Sequence, residues 1–169
     1  MAIQLKTVVP RKSETAGDSL LSGISHDKFL WGVATSAFQL EGSPYADWTS
    51  WDEILSEKPD ITDHYRLYKD DLRLLKDLGV NAYRFSLEWS RIQPKRNEFN
   101  QGEINHYLKV VEALRQRNIE PLITLHHFTN PCWLQDFGGW MSPEIVKYFS
   151  RYVEKIVTAL GKDVTYWIT

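Results

Sequence analysis

A parallel α/β fold is the class this 169-residue sequence predicts, and three observations carry the prediction. Amphipathic helical periods alternate with short apolar runs of β-formers. The helix-ending residues Gly79, Asn118 and Gly161 stand 39 and 43 residues apart, and each is followed within a few positions by such a run. Strands alternating with helices imply right-handed crossovers and a parallel sheet covered by helices. Both a doubly wound sheet and a (β/α)8 TIM barrel meet that pattern. Two details favour the barrel: no Gly-rich phosphate fingerprint follows the first strand, and polar residues gather just beyond each strand's C-terminal end. The expectation is therefore a partial barrel, about its first four strands and three helices.

Residues 1–24 mix Lys, Arg, Ser, Thr and Gly without a sustained period, and read as a flexible leader before one domain over 25–169. From Phe29, the text FLWGVATSAF is a buried strand running into a loop. The first long helix shows Tyr65, Tyr68, Leu72, Leu75 and Leu78 at steps of three and four, with Asp63 as N-cap and Gly79 as stop. VNAYRFSLEW is the second strand, and a Pro-containing loop leads to a helix with Ile104, Tyr107, Leu108, Val111 and Leu114 on one face. IEPLITLHHF is the third strand. The third helix, over SPEIVKYFSRYVEKIVTALG, takes Ser142 as N-cap and Pro143 at its first position. VTYWIT is the fourth strand, on which the sequence ends.

Composition narrows the function classes. With 43% hydrophobic and 25% charged residues, and 20 Lys plus Arg against 22 Asp plus Glu, the chain is globular and carries no broad positive field. No nucleic acid partner is expected. No run of 18 apolar residues and no signal-like stretch is present, so no membrane partner is expected either. The single Cys132 has no partner for a disulfide and nothing nearby to depress its pKa, so it reads as a small packed residue in a reducing, cytoplasmic setting. The aromatic share of 13% is high and suits either a core or the flat faces of sugars and bases.

In a parallel barrel the strand C-termini build the site. Gln39 and Glu41, Glu88 and Arg91, and His126 and His127 all lie there, with Trp31, Trp89, Phe128 and Trp133 as candidate flat faces. Neutral hydrogen-bonding groups beside rings suit a polyhydroxylated neutral ligand. Against this, a lone loop Gln is usually just solvated, and adjacent residues of a regular strand point to opposite faces, so His126 and His127 should not share one site. Two His with no clear third ligand make a weak metal case. Arg84, inside an apolar strand, needs a carboxylate or several hydrogen bonds. Glu88 is four residues along the same strand, too far for easy pairing.

Four blocks go further: FLWGVATSAFQLEG, DHYRLYKDDLRLLKDLGVNAYRFSLEWSRIQP, PLITLHHFTNPCWLQDFGGW and the terminal YWIT. In order and spacing they resemble the amino-terminal part of glycoside hydrolase family 1, the β-glucosidase family, over about residues 29–169. The resemblance implies a retaining β-glycosidase that hydrolyses terminal β-D-glycosidic bonds and needs no cofactor and no metal. Its substrate would be a small β-glucoside or oligosaccharide. It places Gln39 and His127 on the hydroxyls of the innermost sugar and Phe128 at a ring position that is commonly Trp. Arg84 falls where the family supports its nucleophile.

The same resemblance puts the acid/base Glu in an Asn-Glu-Pro text directly after a YWIT-like strand, and the nucleophile on the seventh strand. With the sequence ending at Thr169, the expectation is a truncated β-glucosidase-like hydrolase holding no catalytic carboxylate and inactive alone. Neither Glu41 nor Glu88 is expected to substitute. The alternative is a non-catalytic half barrel that binds sugar weakly, self-associates, or assembles with a complementary barrel fragment.

Overall fold

A computed structural model of the chain describes residues 29–51 and 62–169, so the expected leader lies outside the described residues. The four strands are β1 (Gly32–Ala34), β2 (Ala82–Ser86), β3 (Glu120–Thr124) and β4 (Tyr166–Ile168), paired in parallel in the order β1-β2-β3-β4. In register, Ala34, Arg84 and Leu122 lie side by side, and Leu122 pairs with Tyr166. Three long helices alternate with them as expected: α2 (His64–Leu78), α4 (Gln101–Gln116) and α5 (Ile145–Leu160). Two short helices were not anticipated, α1 (Ala37–Glu41) after β1 and α3 (Trp89–Ile92) after β2.

β1 is a short strand that begins later than the expected start at Phe29. Phe29 and Trp31 precede it and are exposed. The reason for the shift is steric: a Cβ on Gly32 would come within 2.7 Å of the Ala82 carbonyl oxygen, so the pairing with β2 starts where the chain has no side chain. The cap assignments shift as well. Asp63 precedes α2 with a left-handed backbone (φ 53°) and spends its carboxylate on Arg66 rather than on a helix amide. Ser142 accepts from the Glu144 amide at 3.3 Å, but Pro143 and Glu144 form a turn and the α-helix proper begins at Ile145. Gly79 stops α2 at φ 81°, as expected.

The core lies between the sheet and the long helices. Tyr83, Phe85 and Ile123 point into it beside Leu72, Tyr107, Leu114, Tyr152 and Ile156, all essentially inaccessible. Along a strand, side chains alternate. Ala34, Arg84, Leu122, Tyr166 and Ile168 therefore line the opposite, barrel-facing side, where they are half-buried or exposed. The open face is formed by these residues, whereas Tyr83, Phe85 and Ile123 face the core. That corrects one expectation: Arg84 is not enclosed in apolar surroundings, and its guanidinium makes no hydrogen bond or ion pair among the described residues. A half-buried cation that does find a carboxylate is Arg115 at the end of α4, which grips both oxygens of Glu120 and donates to the Asp163 carbonyl at 2.8 Å.

Candidate functional site

The segments following β1, β2 and β3 meet at the C-terminal edge of the sheet. α1 is a single turn and cannot hold itself. It is fastened at its start by the Ala37 amide, which donates to Ser86 Oγ at 2.7 Å. At its end, Arg91 donates to the Glu41 and Gly42 carbonyls at 2.8 and 2.7 Å, placing a cation on the negative end of the turn. Gln39 projects from α1 into solvent, its Oε1 accepting from Ser36 Oγ at 2.5 Å.

The chain leaves β3 at Thr124, so strand alternation does not govern the two following histidines. His126 and His127 line one open cavity of about 440 Å3 together with Phe128, Asn130 and Trp140. The expectation that they diverge is thus corrected by the early end of the strand. Phe128 is 69% exposed, with a left-handed backbone (φ 67°), and its ring meets that of His127 edge-on at 5.2 Å. His126 lies 3.1 Å from Asn130 Oδ1 and 4.8 Å, ring to ring, from Trp140. Burial lowers its pKa, which keeps this imidazole neutral near pH 7.

Gln39 and Arg84 do not line that cavity. A run of rings joins the Gln39 helix to it: Phe38 meets Trp48 at 5.8 Å, and Trp48 meets Phe128 at 6.3 Å. Below the rim, Asp47 accepts from the amide and side chain of Asn130, both at 2.9 Å. Asn130, Trp140, Trp48 and Asp47 were not singled out from sequence, although the first two lie inside the HHFTNPCWLQDFGGW block. Of the expected flat faces, Trp89 and Trp133 are core residues, and Trp31 sits at the far, amino-terminal edge, its amide donating to Asn81 Oδ1. Cys132 is exposed rather than packed, and its thiol pKa is raised, first by desolvation and then by Asp47.

Both edge carboxylates are engaged internally. Glu41 accepts from the Tyr107 hydroxyl at 2.8 Å, and burial pushes its pKa up to about 7 against the pull of Tyr107 and Arg91. Glu88, 1% exposed, accepts from the Ser90 amide and hydroxyl and from the Thr129 hydroxyl, and burial raises its pKa too. A raised carboxyl pKa suits a general acid, but such work needs reach to a leaving oxygen, and both groups point into the protein. The shift has a consequence for stability instead. Folded Glu41 keeps its proton between about pH 4.5 and 7 while the unfolded chain has lost it, so its contribution is complete below pH 4.5 and falls as pH rises through 7. Urea unfolding at pH 5 and pH 7.5 is expected to show a loss on the order of 2–3 kcal/mol that Glu41→Gln removes. An identical pH slope in the variant would contradict the assignment.

Among the described residues, no three His, Cys, Asp or Glu stand close enough to hold a metal ion, and no helix is long and apolar enough to cross a membrane. The family model for glycosyl hydrolase family 1 matches residues 23–169. The chain belongs to glycosyl hydrolase family 1. Its similarity to family 1 relatives is broad: 40% identity over 155 residues to a coniferin β-glucosidase of Pinus contorta, covering 83% of this chain and 30% of that protein. β-Glucosidase A of Thermotoga maritima is 37% identical over the same length, covering 83% and 34%. Among solved structures, a β-glycosidase from Pyrococcus horikoshii superposes with a TM-score of 0.76 at 40% identity, covering 82% of this chain and 34% of that one. A family 1 β-glucosidase from Thermotoga maritima gives 0.76 at 32% identity, covering 85% and 35%. This family 1 chain thus spans about a third of the length of these relatives, and its sheet and helices form the corresponding part of a TIM barrel.

Proposed function

We propose that the chain contributes one wall of the innermost sugar subsite of a retaining β-glucosidase acting on small β-glucosides or oligosaccharides. The observation that carries this reading is the open cavity at the barrel's C-terminal edge, where His127 and the exposed Phe128 ring stand together with Asn130 and Trp140. Polar groups beside exposed rings match a ligand with hydroxyls on its edge and C–H groups on its face. Gln39 and His127 bind sugar hydroxyls, Phe128 covers a ring face, and Arg84, projecting from the barrel-facing side of β2, supports the nucleophile electrostatically. No residue of this chain is assigned a covalent or proton-transfer step. Glu41 and Glu88 shape the scaffold, as their internal hydrogen bonds support.

Calorimetry with methyl β-D-glucoside tests the reading on the chain combined with a later-strand fragment of a family 1 β-glucosidase. Gln39→Ala and His127→Ala are each expected to weaken binding by about 1–3 kcal/mol, because sugar hydroxyls are left unpaired. Unchanged affinity in both variants would remove these residues from the subsite.

The alternative of a non-catalytic half barrel that assembles with a second copy or a complementary fragment is favoured by one observation, the open barrel-facing side of the sheet. Sugar binding without turnover by the assembled species supports it; turnover supports the hydrolase.

A further inference from the structure

β1 and β3 are not neighbours, since β2 lies between them, yet the segments that follow them carry Gln39 and His127. Glu88, two residues past β2, sits under both. Its Oε2 accepts from Thr129 Oγ1 at 2.9 Å, two residues after His127. Its Oε1 accepts from Ser90 Oγ at 2.6 Å, and Ser90 Oγ lies 2.7 Å from Ser43 Oγ, just past the end of α1. Ser43, Ser90 and Thr129 are all buried, so this small network works without competition from water. A carboxylate is the one side chain that accepts from both sides at once with two oxygens.

We propose that Glu88 is a positioning residue that locks the Gln39 and His127 segments into one rigid unit across the end of β2. Its bearing on sugar binding rests on the function proposed above, but the lock does not. A bland role exists alongside: Glu88 is also the N-cap of α3, where its side chain accepts from the Ser90 amide. A cap alone predicts nothing at Thr129 or Ser43. The same two segments are also tied at the rim by Asp47 to Asn130 and by an antiparallel backbone bridge between Ala46 and Pro131, in which the Asp47 amide donates to the Asn130 carbonyl at 2.8 Å and the Cys132 amide to the Tyr45 carbonyl at 2.9 Å, and the lock by Glu88 adds a third tie beneath them.

Amide hydrogen exchange on the full chain distinguishes these roles. The amides to follow are Gly42, which donates to the Phe38 carbonyl, and Thr129, which donates to the His127 carbonyl. Glu88→Ala is expected to speed exchange at both by about fivefold or more while α4 and α5 keep their protection. Thr129→Val is expected to do so at residue 129 alone, and Ser43→Ala at Gly42 alone. Wild-type exchange at either amide in a folded Glu88→Ala protein overturns the proposal, as does a uniform rise that includes α4 and α5. Should Glu88→Ala not fold, the two outer variants decide: the proposal stands if each loosens its own segment and falls if neither or only one does. Titration of the same proteins, each combined with the later-strand fragment, with methyl β-D-glucoside separates the two claims. Exchange changes without any sugar binding by the combined unsubstituted chain overturn the subsite reading and leave the lock standing. Sugar binding that Glu88→Ala does not weaken, alongside unchanged exchange, overturns the lock and leaves the subsite reading.

Discussion

The 169-residue chain is expected to release no nitrophenol from p-nitrophenyl β-D-glucoside above the uncatalysed rate. This is the largest effect expected, because a retaining mechanism needs two carboxylates roughly 5 Å apart, one to attack the sugar carbon and one to move the proton, and their loss costs on the order of 10^6 in rate or more. By the family pattern, neither carboxylate is expected to fall on a position of this 169-residue sequence. The two glutamates that stand at the C-terminal edge are committed elsewhere. Glu41 is held by Tyr107 beneath α1, and Glu88 is closed in by Ser90 and Thr129. Their raised pKa values come first from desolvation, which buried structural carboxyls and catalytic acids have in common, so the shift by itself assigns no chemistry. A steady-state assay at substrate concentrations up to saturation checks this. Turnover that disappears in Glu41→Gln or Glu88→Gln would overturn the prediction and make that carboxylate catalytic.

The second large effect is on association. The 169-residue chain by itself is expected to run larger than a monomer, to bind a hydrophobic dye, and to sharpen its thermal transition when a complementary later-strand fragment is added. On the barrel-facing side of the sheet, Leu122, Tyr166 and Ile168 remain partly exposed, and no described element packs over them. Among the described residues β1 and β4 each pair with only one neighbour, so each leaves an edge of backbone groups unpaired by them, and short, apolar edges invite pairing with another chain. A two-fold pairing that places β4 of one copy beside β1 of another gives eight strands and a route to closure. Light scattering after size exclusion, with dye binding on the same sample, measures the outcome. A dye-negative monomer with one sharp transition would show that the open face is tolerated in water.

How much of this was legible in the sequence differs by element. Helix α5 was plain, because Ile145, Tyr148, Tyr152, Ile156 and Leu160 recur at steps of three and four and all turn out buried. Strands β2 and β3 were plain as compact runs of β-formers between helix stops. The short helices α1 and α3 were not, since five and four residues carry no period to detect and both exist only because Ser86, Arg91 and Glu88 bind their ends. Likewise, His127 and Phe128 could be picked out by resemblance, whereas Asn130 and Trp140 join the same cavity through a loop geometry that no spacing rule encodes.

By itself, then, the sequence determined the alternation of strand and helix, the parallel order that follows from it, and family membership, because these rest on periodicity and on text that survives in order. Only the tertiary structure decided which way each strand faces and what each charge meets. Facing depends on a one-residue register, and the close approach at Gly32 and the pairing of Ala82 with it set that register so that Tyr83 turns inward and Arg84 outward. The fate of Glu88 depended on residues far along the chain, Thr129, whose hydroxyl donates to it, and Ser43, which reaches it through Ser90, and two crossovers are needed to bring these loops to one edge; a buried carboxylate is shaped by that final environment, which local sequence does not contain.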